Sequence, residues 1–154
     1  TIGSAPIVGY NFGAQNDIEL KNVFKKSILS MSVSGLFLSA LAQALAVPLS
    51  KLYVGYDAEL YKLTVYAFRL FSFSFLFSGI NIYSSGFFTA LNNGAVSAIL
   101  SFLRALVFQI VFVFALPAIF GVNGVWWVMF ATELCSFTAS VVFLAVKRKQ
   151  YRYA

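Results

Sequence analysis

Histidine is absent from the chain, and there is a single cysteine, Cys135. One cysteine excludes a disulfide framework, and without histidine or clustered thiols a structural zinc site is excluded as well. Charge is also scarce. Charged residues make up 10% of the 154 residues, against about 25% in an ordinary soluble domain. No charged stretch followed by a cleavable apolar core opens the chain at Thr1, so a signal peptide is not indicated. No nucleophile–base pair stands out, which disfavours an enzyme.

Apolar residues fill the space that charge leaves. Hydrophobic side chains are 60% of the sequence and 18 of them are Phe, too many for a soluble core of this size to hide. They fall into four stretches, at about 27–49, 62–91, 96–116 and 124–146. A helix needs roughly 20 apolar residues to cross a hydrocarbon layer about 30 Å thick, and each stretch is long enough. The expected fold is an all-α polytopic transmembrane bundle, with a lipid bilayer as solvent and no role for nucleic acid.

The net charge of +6 is segregated. Lys21, Lys25 and Lys26 share one segment, and Lys147, Arg148, Lys149 and Arg152 share the C-terminus. Basic residues just beyond apolar spans mark the cytoplasmic side. Four crossings from a cytoplasmic segment 15–26 return the chain to the cytoplasm at Lys147, so charge and parity agree. The predicted organisation is the end of a truncated transmembrane helix at 1–14, a cytoplasmic amphipathic helix at 15–26, a four-helix bundle at 27–146 and a basic cytoplasmic tail at 147–154. The short first segment is expected to belong to a larger protein, with a re-entrant loop as the alternative.

Local signals refine this plan. Asn16 followed by Glu19 resembles a capping box, and Leu20, Val23, Phe24 and Ile28 recur at helical spacing. Ser30, Ser34, Gly35, Ala40, Ala44 and Ala46 offer close helix approach, and Pro48 is expected to end that span. The stretch 62–91 exceeds what a crossing needs and predicts a tilted span, with Gly79 and Gly86 permitting a bend. Asn92-Asn93-Gly94 and 121–124 read as turns, with Pro117 ending the span between them and Trp126 and Trp127 at an aromatic belt.

Three ionisable residues lie within spans: Arg69, Arg104 and Glu133. Each such charge costs roughly 2.5–3.5 kcal/mol at a helix centre, so each should face protein or water. Arg69 is close enough to the outer face to extend its head into water. Arg104 and Glu133 each lie about 14 Å deep at the helical rise, on consecutive antiparallel spans, so a salt bridge between them is geometrically possible. Two readings stay open: the pair locks two helices together, or Glu133 takes part in ion or proton coupling. Gln43, Asn81 and Gln109 are further mid-membrane polar residues, and Ser78 sits beside Asn81 in a run of small and polar side chains. Such runs suit helix–helix hydrogen bonds or a helix broken around a substrate.

Pro6-Ile-Val-Gly9-Tyr-Asn11-Phe-Gly13-Ala14-Gln15-Asn16 resembles a motif of the multidrug and toxic compound extrusion (MATE) family. The likeness continues through Ser85 to Leu91, Ser101 to Arg104, Phe120 to Trp126 and Ala131 to Leu134. It implies the end of helix eight through helix twelve of a twelve-helix antiporter whose N-terminal six-helix lobe lies outside this sequence. It further implies export of organic cations or drugs from the cell in exchange for Na⁺ or H⁺, with no cofactor besides the coupling ion. Some members carry an acidic residue in helix ten, where this chain has Ser78 and Asn81. That departure moves the expected coupling acid to the other lobe or to Glu133. A lipid-linked saccharide flippase of the same superfamily and a non-transporting membrane scaffold are the alternatives.

Overall fold

Asn16 ends one helix and begins the longest one. The computed structural model describes residues 3–154, so Thr1 and Ile2, the first residues of the segment 1–14, lie outside the described residues. Helix α1 (Ala5–Gly13) starts with Pro6 in its first turn, where a missing N–H costs nothing. It stops where Gln15 takes a positive φ of 55° and the Asn16 N–H returns to the Asn11 carbonyl at 2.9 Å. The Asn16 side chain then accepts from the Glu19 N–H at 3.2 Å and caps α2 (Asp17–Val54).

The amphipathic segment 15–26 and the first full span are one unbroken helix rather than a surface helix followed by a crossing. The apolar face of that segment is covered by protein, with Leu20 buried at 1% exposure, so nothing turns the chain where the span begins. Pro48 lies inside α2 instead of ending it. A proline removes one ladder bond, and neighbouring elements tolerate that in an apolar bundle. The small residues that face neighbours are Gly35, Ser39, Ala46 and Ser50, while Ser30, Ser34, Ala40 and Ala44 are exposed. Gly35 lies against the Phe75 carbonyl, where a Cβ would stand 2.8 Å away.

The stretch read as one tilted span is two helices, α3 (Ala58–Ser72) and α4 (Phe75–Ala90), bent by 40°. The bend falls at Phe73-Ser74 and not at Gly79 or Gly86, which both lie within α4. Serine hydroxyls take up carbonyls around the break: Ser72 donates to Arg69 O at 2.7 Å and Ser74 to Phe71 O at 2.6 Å. Gln43 of α2 donates to the same Arg69 carbonyl at 2.9 Å. Gly79 instead admits the α2 backbone, with the Met31 carbonyl 3.4 Å from where its Cβ would be.

Asn92 at φ 58° and the Asn93 cap form the expected turn into α5 (Gly94–Phe102). A π-helical turn (Leu103–Phe108) follows, then α6 (Gln109–Phe120), which continues past Pro117. Gly121, at φ 59° and ψ −146°, is the single residue between α6 and α7 (Val122–Tyr151), so the expected four-residue turn is shorter. That backbone region belongs to glycine. Gly124 then presses on the Leu116 carbonyl with no room for a Cβ.

Among the described residues three helices are long and apolar enough to cross a membrane, or four when the bent pair is counted as one span. Their outward faces carry large apolar side chains, such as Phe114 at 74% exposure, as lipid contact requires. One packed core closes the end of the bundle where α1, the start of α2 and the end of α7 meet, around Val8, Leu20, Tyr83, Phe87, Phe88 and Tyr153. The segment 147–154 is therefore not a free tail. Tyr153 places its ring 4.9 Å from both Phe24 and Phe87 and donates to the Leu144 carbonyl at 2.6 Å. Asn93 donates to the Tyr151 hydroxyl at 2.8 Å, and Arg152 reaches Asp17 at 3.5 Å.

Gly124→Ala should lower stability by about 1–3 kcal/mol, because the new methyl overlaps backbone that cannot move aside. Gly94→Ala, which meets open space, should stay within ~0.5 kcal/mol, and thermal unfolding in detergent compares the two. Burial first, and the neighbouring Tyr151 second, hold the Tyr153 hydroxyl above its ordinary value of 10.0. Its contribution is therefore complete below about pH 10 and is lost as pH rises through the folded-state value, since only the unfolded chain ionises easily there. Tyr153→Phe should cost ~1 kcal/mol at neutral pH and flatten that alkaline decline relative to the parent chain.

Candidate functional site

Glu133 is a carboxylate with 2% exposure in the middle of α7, so its charge needs partners from neighbouring helices. Arg104 supplies them from the π-helical turn. Its Nη2 donates to Glu133 Oε1 at 2.6 Å and its Nε to the same oxygen at 3.0 Å. Asn81 of α4 supplies the rest, with Nδ2 donating to Oε2 at 2.7 Å and to the Glu133 backbone carbonyl at 3.0 Å. Two elements thus converge on one side chain carried by a third.

The register that brings Arg104 here is set on both sides of it. Ser85 and Thr89 of α4 face Ser97 and Ser101 of α5 in a ladder of hydroxyls: Thr89 to Ser97 at 2.7 Å, Ser85 to Ser97 at 3.0 Å and Ser85 to Ser101 at 2.8 Å. Beyond the π turn, the close approach of Gly124 to Leu116 ties α6 to α7. A π turn takes up an extra residue inside a helix, which lets each half keep its own partner. Serine and threonine four residues apart on both helices signal the ladder in the sequence. The segment Leu-Arg-Ala-Leu-Val-Phe has no glycine or proline to announce the π turn.

A cavity of about 340 Å³ opens beside the pair, bounded among others by Asn81, Ser85, Ser101, Arg104, Gln109 and Glu133. Asn81, Gln109, Arg104 and Glu133 are thus brought together. Ser78 is not: its hydroxyl goes to the Ser74 carbonyl at 3.0 Å and it does not line this cavity. Arg69 is exposed and engages its neighbours through its backbone carbonyl. Asn81 Oδ1, Thr132 Oγ1 and Ser136 Oγ are buried without hydrogen-bond partners among the described residues, and sequence reading singled out neither Thr132 nor Ser136. Gln109 and Met129 also line a second cavity of about 510 Å³, walled by Phe68, Phe71, Val113 and Trp126.

The first motif has a structural explanation. Gly9 lies 3.5 Å from the Ala90 carbonyl at the position of a Cβ, and Asn11 is buried with Nδ2 donating to Ile7 O at 2.9 Å. Pro6 opens α1, and Gly13 and Ala14 close it. These residues shape the α1–α2 corner.

Chemically, the centre is a self-neutralised ion pair whose carboxylate already accepts three side-chain donors. Glu133→Gln alone should leave the half-buried Arg104 without a counter-charge and cost about 2–4 kcal/mol, less than for a fully buried pair, seen as loss of folded protein after detergent extraction. Arg104→Gln combined with Glu133→Gln should recover most of the loss, and a double-mutant cycle measures the coupling. Normal folded yield of Glu133→Gln with altered transport would instead assign the carboxylate to coupling.

Comparison with known proteins places the chain among its relatives. The chain is 26% identical over 142 residues to the multidrug export protein MepA of Staphylococcus aureus strains MSSA476 and MW2. The match covers 91% of this chain and 31% of the relative, so the chain spans about a third of the length of the curated relatives it matches. MepA of strain NCTC 8325 / PS 47 matches to the same extent. No solved structure gives a significant match. The MatE family model covers residues 1–115, from α1 through Arg104 into α6, and the chain belongs to the MatE family.

Proposed function

We propose that this chain forms part of a secondary active transporter that exports organic cations or drugs across the cell membrane by antiport with Na⁺ or H⁺. The observation that carries this reading is the MatE family match over residues 1–115, and the relatives' name, multidrug export protein, supports it. On this reading the six-helix N-terminal lobe and the preceding part of this lobe complete the transporter, and the two lobes rock around a midplane cavity. The end of the bundle that gathers Lys21, Lys25, Lys147 and Arg148 is cytoplasmic, in keeping with the bias of basic residues.

The state of Glu133 bears on coupling. A coupling site must change occupancy between the two access states, because only differential affinity shifts their balance. Glu133 is held by Arg104 and Asn81. Coupling on this reading therefore falls chiefly to carboxylates in the rest of the protein. The complete protein in vesicles should expel a cationic dye when an inward Na⁺ or proton gradient is imposed, and should cease to do so once the carboxylates of the other lobe are neutralised. Ion-driven efflux that survived those substitutions would place coupling in this lobe. No efflux under either gradient would refute the antiporter reading.

A further inference from the structure

Of the three ionisable residues within the spans, Arg69 is the one left over. Glu133 is buried and Arg104 is spent on it, whereas Arg69 is exposed and its side chain has no ion-pair or hydrogen-bond partner among the described residues. It lies on α3, roughly 10 Å deeper along the helix axis than Lys62. What ties this part of α3 to the fold is backbone, since the Arg69 carbonyl accepts from Gln43 and from Ser72. The guanidinium is thus free of any structural duty, and substitutions there leave the fold its ties.

Glu59, Lys62, Tyr66, Arg69 and Phe73 recur at intervals of three and four residues, and all are exposed. They form one face of α3. The opposite side differs: Phe68 and Phe71 wall the apolar cavity. The outward face of α6 differs again, with Ile110, Val111, Phe114 and Ile119 exposed and no charged residue in the helix. A face like that of α6 suits acyl chains. A charge at the depth of Arg69 is expensive against hydrocarbon, and such residues turn to water or to protein. The exposed face of α3 is therefore a side of the lobe that turns away from lipid.

We propose that this face lines the cleft between the two lobes and that Arg69 is its half of an outer gate, donating to an Asp or Glu of the N-terminal lobe whenever the outer side is shut. The gate rests on the export reading, which supplies the second lobe. A guanidinium binds a carboxylate through two parallel bonds, which makes Arg the usual choice for ion pairs at interfaces. Tyr66 and Phe73 stand one turn to either side of Arg69, and their rings keep water from the pair when the lobes meet. With the outer side open, the guanidinium returns to water at little cost. A contact made in one access state and absent in the other biases their balance, which Arg104, tethered inside the lobe, cannot do. A positive wall at the open mouth also gives a departing cation no place to rebind.

The test uses the complete protein in right-side-out vesicles, with its own cysteines replaced by alanine and Phe73→Cys as a reporter one turn deeper than Arg69. Two impermeant thiol reagents, one anionic and one cationic, label it from outside. Arg69→Gln should raise both labelling rates about three- to tenfold, because the outer side stays open longer. A purely local charge effect would instead speed the cationic reagent and slow the anionic one. In an Arg69→Glu background, changing the Asp and Glu residues of the N-terminal lobe to Lys one at a time should single out one that restores the parent rates. Opposed movement of the two reagents, unchanged rates, labelling from the cytoplasmic side alone, or no rescuing position would each overturn the gate. Rates that follow the anionic-lipid content of the vesicle and no carboxylate would also overturn it and assign Arg69 to the membrane surface. Gradient-driven dye efflux with labelling indifferent to Arg69 refutes the gate alone. Labelling and rescue as described, in a protein that expels no dye, refute the export reading and leave the gate standing.

Discussion

A carboxylate held away from water organises this bundle. Moving an isolated charge into a medium of low polarity costs far more than any single hydrogen bond returns, so Glu133 is tolerable only with its partners in place. Arg104 and Asn81 arrive from two different elements, and their combined reach fixes how α4, the π-helical turn and α7 stand against one another. The pair need add little net stability to have this effect. Its contribution is to exclude arrangements in which the charge lacks a partner, which are much worse.

The rest of the packing makes that meeting possible. The hydroxyl ladder fixes α5 to α4, and the glycine contact at Gly124 fixes α6 to α7. The π turn reconciles the two. At one end of the bundle the Tyr153 ring closes the aromatic core, so the first and last helices are held together where the basic residues collect. Lipid supplies no hydrophobic drive between helices, and the interfaces rely instead on close backbone approach at Gly35 and Gly79 and on short side-chain hydrogen bonds.

Hydropathy alone located the apolar spans, and depth counting placed Arg104 opposite Glu133, because both follow from the fixed helical rise. The cap at Asn16 was legible because a short polar side chain before an amphipathic run has one dominant use, whereas Asn93 was read as part of a turn and its capping of α5 shows in the structure. Interruptions were harder to read. Pro48 and Pro117 do not end their helices, whereas Ser72 to Ser74 do mark a break. A break in a membrane helix depends on whether neighbours can satisfy the freed carbonyls, and Gln43, 26 residues away from Arg69, is one of those neighbours. The same reasoning explains why the buried small residues of α2 were only partly anticipated: spacing identifies a face, and the tertiary partner selects which face is covered. Ser78, drawn into the site by its nearness to Asn81 in sequence, points its hydroxyl to its own helix instead. The second cavity and its unmet Trp126 donor had no local signal, since its walls come from α3, α6 and α7.

On the proposed export reading, the ion pair also divides labour within the transporter. A lobe that rocks as a rigid body must keep its internal contacts in both access states. A carboxylate that exchanged Na⁺ or protons at every cycle would lose its charge balance each time and weaken the joint it forms. Arg104 removes that conflict, because a tethered cation never leaves. On that reading the neutral centre leaves the lobe without a coupling acid and gives it a joint that need not change during the ion cycle.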